Sequence, residues 1–413
     1  MAGRLLLLVP TTSYRIGDFL AAAERMSVAV TVGSDRDDVL ASAAGGGTLK
    51  IDLTDLTAAV ASITAFNDEH PLSAIVAVDE ETTLIAAEAA ATLGLPHNDP
   101  DAVRTAGNKH RFRTRLANSG LLVPRFTLVP AAEDPARAAR ESFYPAVLKP
   151  LSMAGGRGVI RADDPAAFEA AFHRITGLLD SAGATGAAAA HVLIEEFIPG
   201  AEVAVEGLLN DGNLTVLALF DKPGPLDGPY FEETSYVTPS RLDAGAQDAV
   251  AEAVAGAVNA VGLRDGPIHA EARINDHGVW IIEVAARSIG GLCARSLRFD
   301  GGLQLEDLIL HHALGMPIAS QEREEAASGV MMIPIPAAGV LERIEGVEDA
   351  RSVEHVDDVT ISIAIGGTLV PLPDGNRYLG FIFARGGDPA TVETALRDAH
   401  GRLNFTIRRD QTP

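Results

Sequence analysis

A chain of 413 residues with a net charge of −23 and one cysteine, Cys293, rules out several classes of protein at once. The acidic balance argues against a nucleic-acid phosphate surface or an anionic membrane as partner, and one cysteine permits neither an intrachain disulfide nor a cysteine-rich metal site. No run approaches the roughly 18 apolar residues of a membrane span, and Pro10 ends the apolar run 5–9 too early for a signal-peptide core. The expectation is a cytoplasmic protein of about two to four domains.

Strand-like runs at 4–9, 28–32, 49–53 and 74–78 alternate with alanine-rich helical stretches, and a further helix is predicted over 82–93. This alternation predicts an open parallel α/β domain over 1–105. Ligands in such sheets gather beyond the carboxyl ends of strands, where the loops 10–15 and 79–82 fall. From about 105 the texture becomes α+β. A helix is expected over 109–119, strands over 126–129 and 146–149, then a glycine-rich turn, a strand over 159–161 and a helix over 165–179. Residues 181–190 read as a surface loop. Strands over 191–197, 202–209 and 214–222 precede a long loop and a helix over 246–261. After a hairpin at 268–285 comes a helix over 303–314. The last part, 316–413, reads as a C-terminal α+β domain with strands at 330–335, 359–365, 378–385 and 405–408 and a helix over 389–403.

Three segments carry chemistry. In VLKPLSMAGGRGVI, 147–160, Lys149 ends a strand and is followed by Ser152, Gly155, Gly156 and Gly158. Backbone N–H groups of such a loop can fold over phosphates, with Lys149 adding a point charge. It is not a Walker loop, because no Gly-Lys-Ser/Thr closes it. A surface hairpin with turn glycines is the alternative. In HVLIEEFIPGAEVAV, 191–205, Glu195 and Glu196 end an apolar strand and Glu202 opens the next, so their carboxylates could bind a base and a ribose or simply lie near a surface turn. In the hairpin, Asn275-Asp276-His277-Gly278 is turn chemistry, and a three-residue loop over 276–278 places Glu271 directly opposite Glu283, about 5 Å apart. Like charges so placed call for a cation, and two carboxylates suit Mg²⁺. An exposed acid pair, or a register one residue off, stays open at this point.

The order of these segments, with Asn108-Lys109 before them and Glu283-Val-Ala-Ala-Arg287 after, resembles the ATP-grasp superfamily of carboxylate–amine ligases, most closely its L-amino acid ligase (dipeptide synthetase) branch. Residues 93–113 and 378–403 also look like segments of that branch. The resemblance implies an ATP-grasp fold: a pre-ATP-grasp domain over 1–105, an ATP-grasp domain over 106–315 with a lid at about 125–197, and a C-terminal domain completing the core. It further implies Lys109 and Lys149 on phosphates with 152–158 as the lid loop, Glu195 accepting from the adenine amino group, the Glu196 and Ile198 backbone reading the ring, and Glu202 on the ribose. Glu271 and Glu283 would hold Mg²⁺, with Mn²⁺ as a substitute. Arg287 would steady the transferred phosphoryl group and the reacting carboxylate, Glu233 would hold the incoming amine, and Lys222 would point at phosphates. The implied reaction joins a small-molecule carboxylate to an amine through an acylphosphate, and homodimers are common among relatives. Biotin carboxylase-like or purine-pathway ATP-grasp enzymes, and a non-catalytic ATP-binding protein, are the alternatives. Two departures stand out: Ala285 where relatives carry an Asn that helps bind a second Mg²⁺, and Tyr236 where some carry His.

Overall fold

A computed structural model of the protein describes residues 3–36, 47–184 and 186–409. The first sheet is parallel, with strands in the order Thr48–Lys50, Ala29–Ser34, Arg4–Leu8, Leu72–Ala77. Its central strand is the apolar run that begins the chain, and Leu5 to Val9 are fully buried, as a strand covered on both faces requires. The main sheet has eight strands and carries the hairpin at one edge: Gly278–Ala285, Gly266–Asn275, Ala201–Asn210, Asn213–Asp221, Ser235–Thr238, Ala327–Ile333, Gly380–Gly386 and Val356–Ile361. Strands from the C-terminal part therefore continue the sheet that holds the hairpin. A smaller antiparallel sheet, in the order Phe126–Pro130, His191–Glu196, Ala146–Pro150, Ile160–Ala162, occupies the region expected to be the lid.

Three of the cores explain how these layers are fixed. One runs from Leu5, Val9 and Phe19 through Ile289, Phe299 and Leu308 to Phe220 and Phe381, and so locks the first sheet to the main one. A second packs the helices Lys109–Asn118 and Ala244–Val261 under the hairpin through Phe112, Leu116, Val254, Val258, Ile281 and Val284. The lid has its own core around Leu148, Phe168, Phe172 and Ile194. Among the described residues no helix is long and apolar enough to cross a membrane.

The structure departs from the sequence reading in several elements. The stretch between 222 and 246 is not one loop, because Ser235–Thr238 forms a strand pairing with Ala327–Ile333. Gly339–Glu345 and Val347–Arg351 form a strand and a helix that the sequence reading did not include. Within the expected loop 181–190, position 185 lies outside the described residues and Gly186–Ala190 is a short helix.

Candidate active site

The hairpin does bring the two glutamates together, by a different route. Asn275 pairs with Gly278, so the turn has two residues, Asp276 and His277, instead of three. The Asn275 Oδ1 atom accepts from the His277 N–H (2.9 Å) and from Trp280 Nε1 (3.0 Å), which favours this tight turn, and Gly278 takes φ 125°. A bulge then leaves Ile282 unpaired, and the register regained places Glu271 opposite Glu283. The bulge also turns two backbone acceptors to use: the Ile281 and Ile282 carbonyls accept from Arg113, at 3.1 and 2.6 Å.

Each glutamate meets its own lysine. Lys222 Nζ donates to Glu271 (2.7 Å), Glu233 (2.6 Å) and Glu202 (2.9 Å), and the last is also held by Arg273 Nε at 2.7 Å. Glu202, Glu233 and Glu271 bring one carboxylate oxygen each within 4.8 Å of one another, while Glu283 stands outside that group and faces Lys109 Nζ at 3.5 Å. These donors are all carboxylate oxygens, the set that suits Mg²⁺ or Mn²⁺ rather than a softer ion. Burial and the neighbouring Glu271 charge push Glu233 up to about 7, and Tyr236 donates its hydroxyl to it at 2.6 Å. Ala285 is buried and offers no donor atom.

Behind Glu271 lies a pair that sequence reasoning missed. His269 sits between the fully buried Glu206 (3.2 Å) and Glu271 (3.6 Å), and Glu206 accepts from the Ile289 N–H at 3.0 Å. Burial opposes a charge on the imidazole, yet the hydrogen bonds to the two glutamates raise it to about 9. A raised folded value means that this interaction stabilises the metal-free protein fully below pH 6.5 and is lost as pH rises through about 9. An NMR titration of the His269 ring should give a midpoint near 9; one at or below 6.5 would contradict the network.

Between lid and main sheet is a cleft of about 750 Å³, partly open to solvent. Lys109, Lys149, Gly155, Gly156, Glu195, Glu196, Ile198, Glu202, Glu233, Glu271 and Glu283 line it, together with Phe197 and Phe231; Ser152, Gly158, Lys222 and Arg287 do not. Lys109 is placed by local sequence: Asn108 caps its helix by accepting from the Arg111 N–H at 3.0 Å, and Lys109 Nζ donates to the Met153 carbonyl of the glycine loop at 2.8 Å. Gly158, at φ 71°, leaves room for Pro150 and Leu178, either of which a Cβ would meet at about 3 Å. The loop is seated on the C-terminal part: the Gly158 N–H donates to the Pro373 carbonyl (2.9 Å), Arg157 Nε to the Asp374 carbonyl (2.9 Å), and Arg174 grips the Asp374 carboxylate at 2.8 and 3.1 Å.

Glu195 is paired inside the protein. Its carboxylate is 1% exposed and accepts from Arg113 (2.6 and 3.3 Å) and Lys149 Nζ (2.6 Å). Those partners make it the buried anchor of two cations on the wall of the cleft. The only signal for Arg113 was its place one helical turn after Lys109.

Across the site, the first sheet presents its loops as the strand-end rule anticipates. Arg15, 1% exposed, donates to the Val78 carbonyl (2.8 Å) and to Ser288 Oγ (2.6 Å). Arg287 Nε lies 3.1 Å from Glu80 Oε2, and Arg287 Nη1 donates to the Ser288 carbonyl at 2.9 Å. Cys293 is a buried thiol whose ionisation burial pushes up, in keeping with a small hydrophobe and not a nucleophile.

Comparison with known proteins bears on the fold and the family. Residues 142–296 match the ATP-grasp domain family, 20–97 the ATP-grasp N-terminal domain, and 331–408 the L-amino acid ligase C-terminal domain 2. The L-amino acid ligase from Bacillus licheniformis has a similar crystal structure, with a TM-score of 0.82 at 26% identity over 98% of this chain and 99% of that one. Protein y4rH of Sinorhizobium fredii is 25% identical over 87% of this chain and 73% of its own length. Alanine–anticapsin ligase of Bacillus subtilis is 28% identical over 54% of this chain, a match that spans about half the length of that relative.

Proposed function

Because the chain belongs to the ATP-grasp superfamily, within its L-amino acid ligase branch, we propose that it joins a small carboxylate to an amine at the cost of ATP, releasing ADP and phosphate. The observation that carries this reading is the single cleft in which Lys109, Lys149, Gly155, Gly156, Glu233, Glu271 and Glu283 converge between lid and main sheet. ATP would lie with its base near the Glu196 and Ile198 backbone, its ribose near Glu202 and its phosphates under the glycine loop. Lys109 and Lys149 would neutralise phosphate charge, and closing the lid would exclude water from a reactive acyl group. Glu271 and Glu283 would hold Mg²⁺, which supplies further charge neutralisation when bound.

Arg287 would orient the donor carboxylate, whose oxygen forms a bond to the γ-phosphorus as the bond to the bridging oxygen of ADP breaks. The amine then attacks the acyl carbon and phosphate leaves. Glu233, raised to about 7, is placed to anchor the amine and accept its proton. The lone buried cysteine and the acidic composition favour a cytoplasmic location.

Phosphate release across a pairwise panel of amino acids and small carboxylates, followed by mass spectrometry, tests the reading. A matched pair should give ADP and a product one water lighter than its components. An absolute bicarbonate requirement would indicate a carboxylase instead, and nucleotide binding without ADP from any pair would indicate a non-catalytic protein.

A further inference from the structure

Arg273 stands two residues after Glu271 on the strand Gly266–Asn275, so both side chains face the cleft, and it lies directly across the sheet from Glu202. Although it lines the cleft it is only 4% exposed, because each nitrogen of its guanidinium donates to a different segment of the protein. Nε donates to Glu202 Oε2 (2.7 Å), Nη1 to the Ile198 carbonyl (2.8 Å) and Nη2 to the Leu226 carbonyl. The central carbon of the group lies 5.1 Å from the ring centre of Phe197 and 5.7 Å from that of Phe231, two rings that stack on each other at the cleft wall.

Two of these acceptors are backbone carbonyls in segments outside the strands. Residues 197–200 join His191–Glu196 to Ala201–Asn210, and this turn is docked on the strand of Arg273: Asn275 Nδ2 donates to the Pro199 carbonyl (2.9 Å), and Gly200 packs so closely on the Ile274 carbonyl that no Cβ would fit. Leu226 belongs to the stretch that connects Asn213–Asp221 to Ser235–Thr238 and also carries Phe231 and Glu233 into the cleft. Lys222 holds the other oxygen of Glu202 at 2.9 Å. A lysine in place of Arg273 would have one nitrogen and could not span three separate acceptors, so the planar fork is what fixes turn, carboxylate and stretch in one arrangement.

We infer that Arg273 is a positioning residue for the adenosine half of ATP, an assignment that rests on the ligase reading above. Its fork fixes the Ile198 peptide group beside the base and turns the Glu202 carboxylate toward the ribose, while its third nitrogen draws the Leu226 stretch, with Phe231, against them. Binding groups hold their geometry only when neighbouring hydrogen bonds lock them in place. The phosphate half relies on other anchors: Lys109 donates to the Met153 carbonyl, Lys149 to Glu195, and the glycine loop to the Pro373 and Asp374 carbonyls. Loss of Arg273 therefore disturbs one half of the nucleotide site and spares the other.

Calorimetric titration in the presence of Mg²⁺ with ADP, and with inorganic tripolyphosphate, which has neither base nor ribose, separates the two halves. Arg273→Met and Arg273→Lys should each raise the Kd for ADP by at least about tenfold, as loss of a partner that orients a binding group does, and leave the Kd for tripolyphosphate within about twofold. In turnover the KM for ATP should rise while the KM for the carboxylate donor stays unchanged, and this split decides where tripolyphosphate binds too weakly to titrate. Arg273→Lys keeps a positive charge beside Glu202, so it decides the case if Arg273→Met does not fold. An ADP Kd within about threefold of wild type in Arg273→Lys, or an equal weakening of ADP and tripolyphosphate or of ATP and donor, would overturn the assignment while leaving the ligase reading intact. Wild-type protein that binds neither ADP nor tripolyphosphate and turns over no ATP would overturn both.

Discussion

Replacing Glu283 with alanine is expected to abolish Mg²⁺-dependent ADP formation while leaving the fold almost untouched. The side chain is 31% exposed on the cleft, and its ion partner Lys109, at 3.5 Å, keeps its hydrogen bond to the Met153 carbonyl. Loss of so solvated a pair should cost no more than about 1 kcal/mol of stability. Charge neutralisation by a bound metal is a matter of several kcal/mol in the transition state, or a factor of about 10³ and more in rate. Glu271 alone would leave the metal one carboxylate of the pair, and that one already shares its Oε1 with Lys222 and His269. Arg287→Lys should fail for a different reason, since an ammonium group cannot present a planar fork to a carboxylate. A coupled ADP assay beside a urea unfolding curve separates the two effects. Activity of Glu283→Ala within tenfold of wild type would remove the metal assignment.

How far the sequence made this site legible depends on the distance over which each contact acts. The strand-end loops, the glycine loop and the facing glutamates could be read because local pattern specifies them. Even there, the pairing of Glu271 with Glu283 came from two errors that cancel: a turn one residue shorter than expected and a bulge at Ile282. The buried polar framework was not legible. Arg15 reaches Ser288 across 273 positions, Arg113 reaches Glu195 across 82, and Glu206 meets His269 across 63. No local periodicity marks such partners, since burying a charge becomes tolerable only once the opposite charge arrives from another element. The same framework set Glu195 between two cations and exposed Glu80 as a partner of Arg287.

That framework makes the second large effect one of stability. Glu195→Gln keeps the shape of the side chain but leaves Arg113, 1% exposed, and Lys149, 7% exposed, without their anion. Breaking a buried ion pair by removing one partner typically costs about 3–5 kcal/mol. Burial alone would raise the Glu195 carboxyl, but Arg113 and Lys149 hold it down at about 2. A lowered folded value contributes stability that is complete above pH 4.5 and is lost as pH falls through about 2. The gap between wild type and Glu195→Gln should accordingly be full at neutral pH and narrow as pH falls below 4.5. Trp280, the only tryptophan, lies next to the Ile281 carbonyl that Arg113 binds, so its fluorescence reports the region directly during urea unfolding. Replacing all three groups together, as Arg113→Met, Lys149→Met and Glu195→Leu, should recover much of the lost stability, because no charge then stays buried alone. It should not recover ATP turnover, since Lys149 lines the cleft and its charge goes with the anchor. A Glu195→Gln protein that unfolds within about 0.5 kcal/mol of wild type at neutral pH would mean that water, and not Glu195, balances these cations.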